Sequence, residues 1–275
     1  MSQLPVITGQ GNEYNLEPHH KVLNNLFSHR IHPPEAAATL ASAALTLDAS
    51  LTAQLGQLWS LILRTAWESP EHHDRLVDLL VNMSYLPDAT KTDDNGKDEP
   101  LSYHDMQLWK DLPMLGWRIN DIWNEFSVPA PTNIAKRNAT SKIINMNRFV
   151  ALLVATDEPI FSEYSLYALS TFRTALETPW VHLREEEPLE AWIPAAAVWI
   201  EVLGTEIYQW DEEYGPSGRG GLLWRGKAGF CEGRWKLWRE RFGDVVGKED
   251  EVDEVRASAE AAEVMMQEIE NGLVE

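Results

Sequence analysis

A single cysteine, Cys231, stands in a chain of 275 residues. No internal disulfide can form, no thiolate-rich zinc site can be built, and a reducing compartment fits. Positive charge is also scarce. With 23 Lys and Arg against 43 Asp and Glu, the formal net charge is −20 and the isoelectric point is near 4.7, so the whole-molecule field repels phosphate backbones and anionic membranes. Nucleic acid and membrane are therefore excluded as partners. Long apolar runs are missing: the longest, Trp192 to Leu203, is broken by Pro194 and Glu201 and falls short of the roughly 20 residues that span a bilayer. Met1 to Gly11 has neither a basic nor an apolar leader region, so a cytoplasmic or nuclear protein is expected. Period-two alternation is absent too, which excludes a substantial sheet.

Tryptophan, by contrast, is abundant. Twelve indoles must be buried with their N–H groups satisfied, which points to a Trp-rich core or an aromatic-lined cavity. Helical periodicity runs through the chain. Leu51, Leu55, Leu58, Trp59, Ile62 and Ala66 share one stripe of a helix expected over 50–67. Pro33-Pro34 and Ser69-Pro70-Glu71 are helix starts. Helical patterning resumes from Tyr103 to Phe126 with a bend at Pro113, then around Ile143, Asn147, Val150 and Val154, and again from Leu166 to Leu176. Trp192 to Trp210 is apolar nearly all round, as expected of a helix at the centre of the fold. The expected architecture is all-α: a single multi-helix bundle or array over 17–247, preceded by an extended segment over 1–16 and followed by an acidic C-terminal helix over 248–275. Residues 88–100, polar and without large apolar groups, are expected to form a mobile loop. In the tail, Val252, Val255, Ala259, Ala262, Met266, Ile269 and Leu273 recur in steps of three and four. That shallow seam suits packing on the parent bundle better than pairing with a second copy.

Several stretches resemble a fungal family of all-helical proteins catalogued as a domain of unknown function. They are Leu108-Trp109-Lys110-Asp111-Leu112-Pro113 with Trp117-Arg118, Asn147 to Leu152, Pro194 to Ile200, Gly221 to Phe230, and Arg234 to Phe242. The resemblance covers residues 50–245 and implies an intracellular helical protein, some relatives of which sit beside secondary-metabolite biosynthesis genes. It brings no catalytic residues.

The sharpest local departure is Arg219 to Arg241, which holds seven Lys and Arg against only Glu232 and Glu240. Trp224, Arg225, Lys227, Arg234, Trp235 and Arg239 in this segment are candidate ligand-binding residues, because guanidinium forks grip anions and indoles offer aromatic faces. The competing expectation is internal pairing with the acidic runs 185–187 and 211–213, the tryptophans forming core. Asn147 interrupts an apolar stripe and needs hydrogen-bond partners; with Glu177 and Glu206 it is a further candidate for lining a cavity. Gly221-x-x-x-x-Gly226-Lys227 has most of a phosphate-loop spacing, but Ala228 stands where the magnesium-binding hydroxyl belongs. Asp93-Asp94-Asn95-Gly96-Lys97-Asp98 superficially resembles a diphosphate-binding motif, but in a glycine-containing loop rather than on a helix. No catalytic residue, metal site or cofactor is expected. The expected function is a non-catalytic binding or interaction protein, monomer or weak dimer, for an unidentified protein partner or a small hydrophobic or anionic ligand. The alternative is an accessory enzyme, a cofactor-free cyclase or isomerase, which would place Asn147, Glu177 or Glu206 on a cavity wall.

Overall fold

The computed structural model describes residues 16–45, 50–92, 96–128, 132–183 and 188–273, and among these the fold is essentially all-α. The chain clusters into two compact units, Met1–Glu125 and Phe126–Glu275. The expected extended segment over 1–16 lies almost wholly outside the described residues, as do the 185–187 acidic run and residues 93–95 of the aspartate-rich stretch.

The first unit contains α1 (Glu17–Phe27), α2 (Pro33–Leu45), α3 (Leu51–Glu68), α4 (His73–Ser84) and α5 (Leu115–Asn124). Helix α3 begins where Ser50 accepts a hydrogen bond from the Ala53 amide, relieving one of the unpaired donors of the first turn. Its stripe of Leu55, Leu58, Trp59 and Ile62 is fully buried. The Trp59 indole N–H, which could not be buried unpaired without cost, donates to the Pro113 carbonyl at 2.8 Å. Alanines of α2, among them Ala36, Ala37 and Ala44, are buried where that helix meets α1 and α4.

One expectation is corrected in this unit. The helix expected from Tyr103 begins only at Leu115. Ahead of it a small antiparallel pair forms, β3 (Ser102–Tyr103) with β4 (Met106–Gln107), and its turn residues His104 and Asp105 have φ of 48° and 63°. Pro113 keeps Leu112 out of the right-handed helical region, and Leu112 and Met114 both adopt positive φ. Within the loop expected over 88–100 a short hairpin forms, β1 (Thr90–Thr92) with β2 (Asp98–Pro100), and Gly96 ahead of β2 has φ 78°. Backbone pairing replaces the apolar burial that the composition could not supply.

The second unit contains α6 (Asn133–Val154), α7 (Leu166–Ala175), α8 (Leu189–Gln209), α9 (Glu232–Val246) and α10 (Asp253–Glu270). Helix α8 is central and packs against the other four. Its backbone is kinked at Leu203 (φ −135°, ψ 20°). The acidic tail helix α10 lies on α8 and α9 through Val255, Ala259, Ala262, Met266 and Ile269, all buried. Gly204 of α8 lets it approach closely, since a methyl there would fall 2.7 Å from the Ile269 side chain. No helix among the described residues is long and apolar enough to cross a membrane.

Indole termini account for much of the polar structure of this core. Trp199 donates to the Asn147 carbonyl oxygen at 2.7 Å, Trp235 to Glu270 at 2.9 Å, and Trp238 to Glu177 at 2.7 Å. Each large apolar body is thus buried with its donor paired.

Candidate functional site

The connection between α8 and α9 is long and glycine-rich, and four contacts give it a defined shape. Tyr214 N–H donates to the Ala228 carbonyl at 2.8 Å, and Glu213 pairs with Gly229 across the loop. Gly218 and Gly229 have no room for a side chain, because a methyl would come within 2.3 Å of the Ala228 oxygen and 1.9 Å of the Glu212 oxygen respectively. The remaining anchors come from Glu177, just past the end of α7: its carbonyl accepts from Leu223 N–H at 2.9 Å and its carboxylate from Gly221 N–H at 2.8 Å.

That carboxylate is fully buried against an equally buried guanidinium, Arg234 in the first turn of α9. Glu177 Oε1 accepts from Arg234 Nε at 2.6 Å and from Trp238 Nε1 at 2.7 Å; Oε2 accepts from Arg234 Nη2 at 3.0 Å as well as from Gly221. Arg234 Nη1 donates onward to the carbonyls of Gly218 and Gly229, both at 2.8 Å. Burying two charged groups is tolerated only with this kind of full hydrogen-bond complement. Its structural result is to tie α7, the loop and α9 together at one point.

Above this anchor the loop and the C-terminal part of α7 enclose a groove of about 920 Å³. Arg173, Arg219 and Arg225 line it together with Thr174, Thr178, Leu183, Leu222, Trp224 and the backbone of Gly220, Gly221 and Gly226. Among the described residues no carboxylate lines the groove and none pairs with these three arginines. In a chain of net charge −20 this is a local reversal of sign, and guanidinium groups in a recess concentrate field on an anion.

The candidates read from sequence divide accordingly. Trp224 and Arg225 lie in the groove wall. Arg234 and Glu177 form the buried anchor beneath it. Lys227 is turned to Asp211, donating to its carbonyl at 2.5 Å and its carboxylate at 2.8 Å; the hydrogen bond to Asp211 raises the Lys227 pKa, keeping the amine charged. Trp235 is core, and Arg239 pairs with Glu270 at 3.0 Å. Asn147 is fully buried, donates to the Ile143 carbonyl at 2.9 Å and accepts from Thr171 Oγ1 and Trp199 Nε1, both at 2.7 Å. Glu206 is exposed on α8. Asn147, Glu177 and Glu206 are therefore not brought together, and none of the three lines the groove. The phosphate-loop spacing is consumed internally: the Gly221 amide serves Glu177 and the Lys227 amine serves Asp211. Among the described residues no group of three His, Cys, Asp or Glu is placed to hold a metal ion.

Arg173 and Arg219 were missed as candidates. Arg173 is one basic residue on an otherwise apolar and hydroxylic helix, with no motif around it, and only the fold brings it opposite the loop. Arg219 carried a usable signal, since Arg219-Gly220-Gly221 joins a cation to backbone that can approach a ligand closely.

A family model described as Protein of unknown function (DUF3632) matches residues 59–242. No curated protein and no solved structure matches the chain.

Proposed function

The chain belongs to the family described as Protein of unknown function (DUF3632), and on that premise we propose that it is a non-catalytic binding protein whose groove between α7 and the α8–α9 loop holds a small organic anion. The observation that carries this reading is the trio Arg173, Arg219 and Arg225, which pair with no described carboxylate, around one recess of a strongly acidic protein. Arg148, by contrast, is neutralised by Glu201 through two bonds of 2.8 Å. Three arginines that pair with none of the described carboxylates, in a wall set by a buried ion pair, suit capture of an external anion. The single cysteine suits a reducing compartment such as cytoplasm or nucleus, and the family resemblance adds a fungal setting. The groove also has apolar wall at Leu183, Leu222 and Trp224, which favours an amphipathic ligand over a bare inorganic ion.

Native mass spectrometry of the chain purified from its own host tests this. Wild type should retain a small anionic adduct that the Arg173→Gln, Arg219→Gln, Arg225→Gln triple variant, folded by circular dichroism, has lost. An adduct held equally by both proteins, or by neither, refutes the assignment of the groove.

A further inference from the structure

Three arginines account for a negative charge on the ligand but not for the indole set beside them. Trp224 is half-buried and forms part of the groove wall, whereas Trp235 and Trp238 on the next helix are wholly core. Its seat is cut to fit. A methyl on Gly220 would come 2.5 Å from its Cδ1, one on Gly226 would come 2.4 Å from its Cζ2, and one on Gly233 would come 3.3 Å from its Cη2. The ring is also held by a hydrogen bond from Nε1 to the Lys227 carbonyl at 2.8 Å, and the residue's backbone N–H donates to the Gly221 carbonyl at 3.2 Å. Two of those three glycines thus admit no side chain at all without displacing the indole.

An aromatic ring fixed before binding loses little conformational freedom when a ligand arrives, so its stacking energy is retained as affinity. Guanidinium planes stack on flat π systems as well as forking onto carboxylates, and Arg225 directly follows Trp224 in the wall.

We propose that the ligand class is an aromatic carboxylate, its charge held by the arginines and its flat ring by Trp224, which is the specificity-determining residue of the site. The proposal rests on the groove being the anion site. Gly220 and Gly226 are positioning residues that keep the indole in place.

Isothermal titration of the intact chain with naphthoate and with its saturated analogue decahydronaphthoate compares two ligands of equal charge and the same carbon skeleton. Naphthoate should bind about fivefold to tenfold more tightly, the margin expected of one aromatic pair beyond its buried area. Trp224→Leu should abolish the difference and Trp224→Phe should preserve it. Equal affinities in wild type overturn the role of Trp224 while leaving the anion groove standing, and this comparison needs no variant to fold. Absence of binding by both compounds overturns the groove reading itself, and the ligand class with it.

Discussion

Replacing Glu177 by Gln should be among the most damaging conservative changes available to this chain. The substitution keeps volume and shape but removes the countercharge of a guanidinium that is 0% exposed. It also converts one of two accepting oxygens into an amide nitrogen. Whichever way the new amide is turned, its N–H groups face two donors: Arg234 Nε and Trp238 Nε1 on one side, or Arg234 Nη2 and Gly221 N on the other. Breaking a buried ion pair from one side costs about 3–5 kcal/mol, and the orphaned donors are part of that figure rather than an addition to it. Against a total stability on the order of 5–15 kcal/mol, the variant should unfold at clearly lower urea concentration. Removing both charges is milder, because no isolated ion remains buried, although Gly218, Gly221 and Gly229 lose loop anchors. The Glu177→Leu, Arg234→Met double variant should therefore be more stable than the sum of its single variants by at least about 1–2 kcal/mol. Urea unfolding followed by circular dichroism measures the cycle, and hydrogen exchange at the Gly221 and Leu223 amides reports the loop directly. A loss under about 1 kcal/mol for Glu177→Gln, or strict additivity in the cycle, would refute the claim that this pair clamps the loop.

Asn147→Leu is close to isosteric but strips the acceptor from Thr171 and Trp199, so chemical denaturation should show a loss of about 2–4 kcal/mol. The exposed Glu206→Ala change should stay within about 0.5 kcal/mol in the same assay. His19 is buried, and desolvation followed by the neighbouring His20 lowers its pKa below the ordinary 6.5. A proton is then bound more readily by the unfolded chain, so the stability that neutral His19 contributes is complete above 6.5 and is lost as pH falls through the lowered folded-state value. Unfolding titrations should show this acid-side slope shrinking in His19→Leu; an unchanged slope would clear His19 of the role. Deleting residues 253–275 exposes the α8 and α9 surfaces that α10 covers, and light scattering should find aggregated or expanded protein. A compact monomer with an unaltered unfolding transition would contradict that packing.

Helices were legible where apolar residues recur at helical spacing or fill a whole helix. The α3 stripe and the α10 seam express the rule that 3.6-residue spacing collects apolar groups on one side, and α8 was legible because it is apolar nearly all round, as a surrounded helix is. The rule misled at 103–114, where Leu108, Trp109 and Leu112 are all buried but reach the core from a turn and irregular backbone, not from a helix. Burial was read correctly there and conformation was not, because left-handed residues such as His104 and Asp105 leave little trace in a sequence lacking glycine at those positions. For the candidate site, local charge excess singled out a segment that supplies Trp224 and Arg225 to the groove wall, and the expected internal pairing claimed much of it: Lys227, Arg234 and Arg239 are tied to Asp211, Glu177 and Glu270. Which cations stay unpaired depends on long-range neighbours. Arg173 lies 46 residues before Arg219, to whose carbonyl it donates at 3.5 Å, and no local pattern encodes that approach.

A crystal structure of the chain grown with naphthoate tests the account most directly. The carboxylate should lie within hydrogen-bond distance of Arg173, Arg219 or Arg225, and the ring against Trp224. Naphthoate ordered elsewhere on the protein while this recess holds only solvent would contradict it.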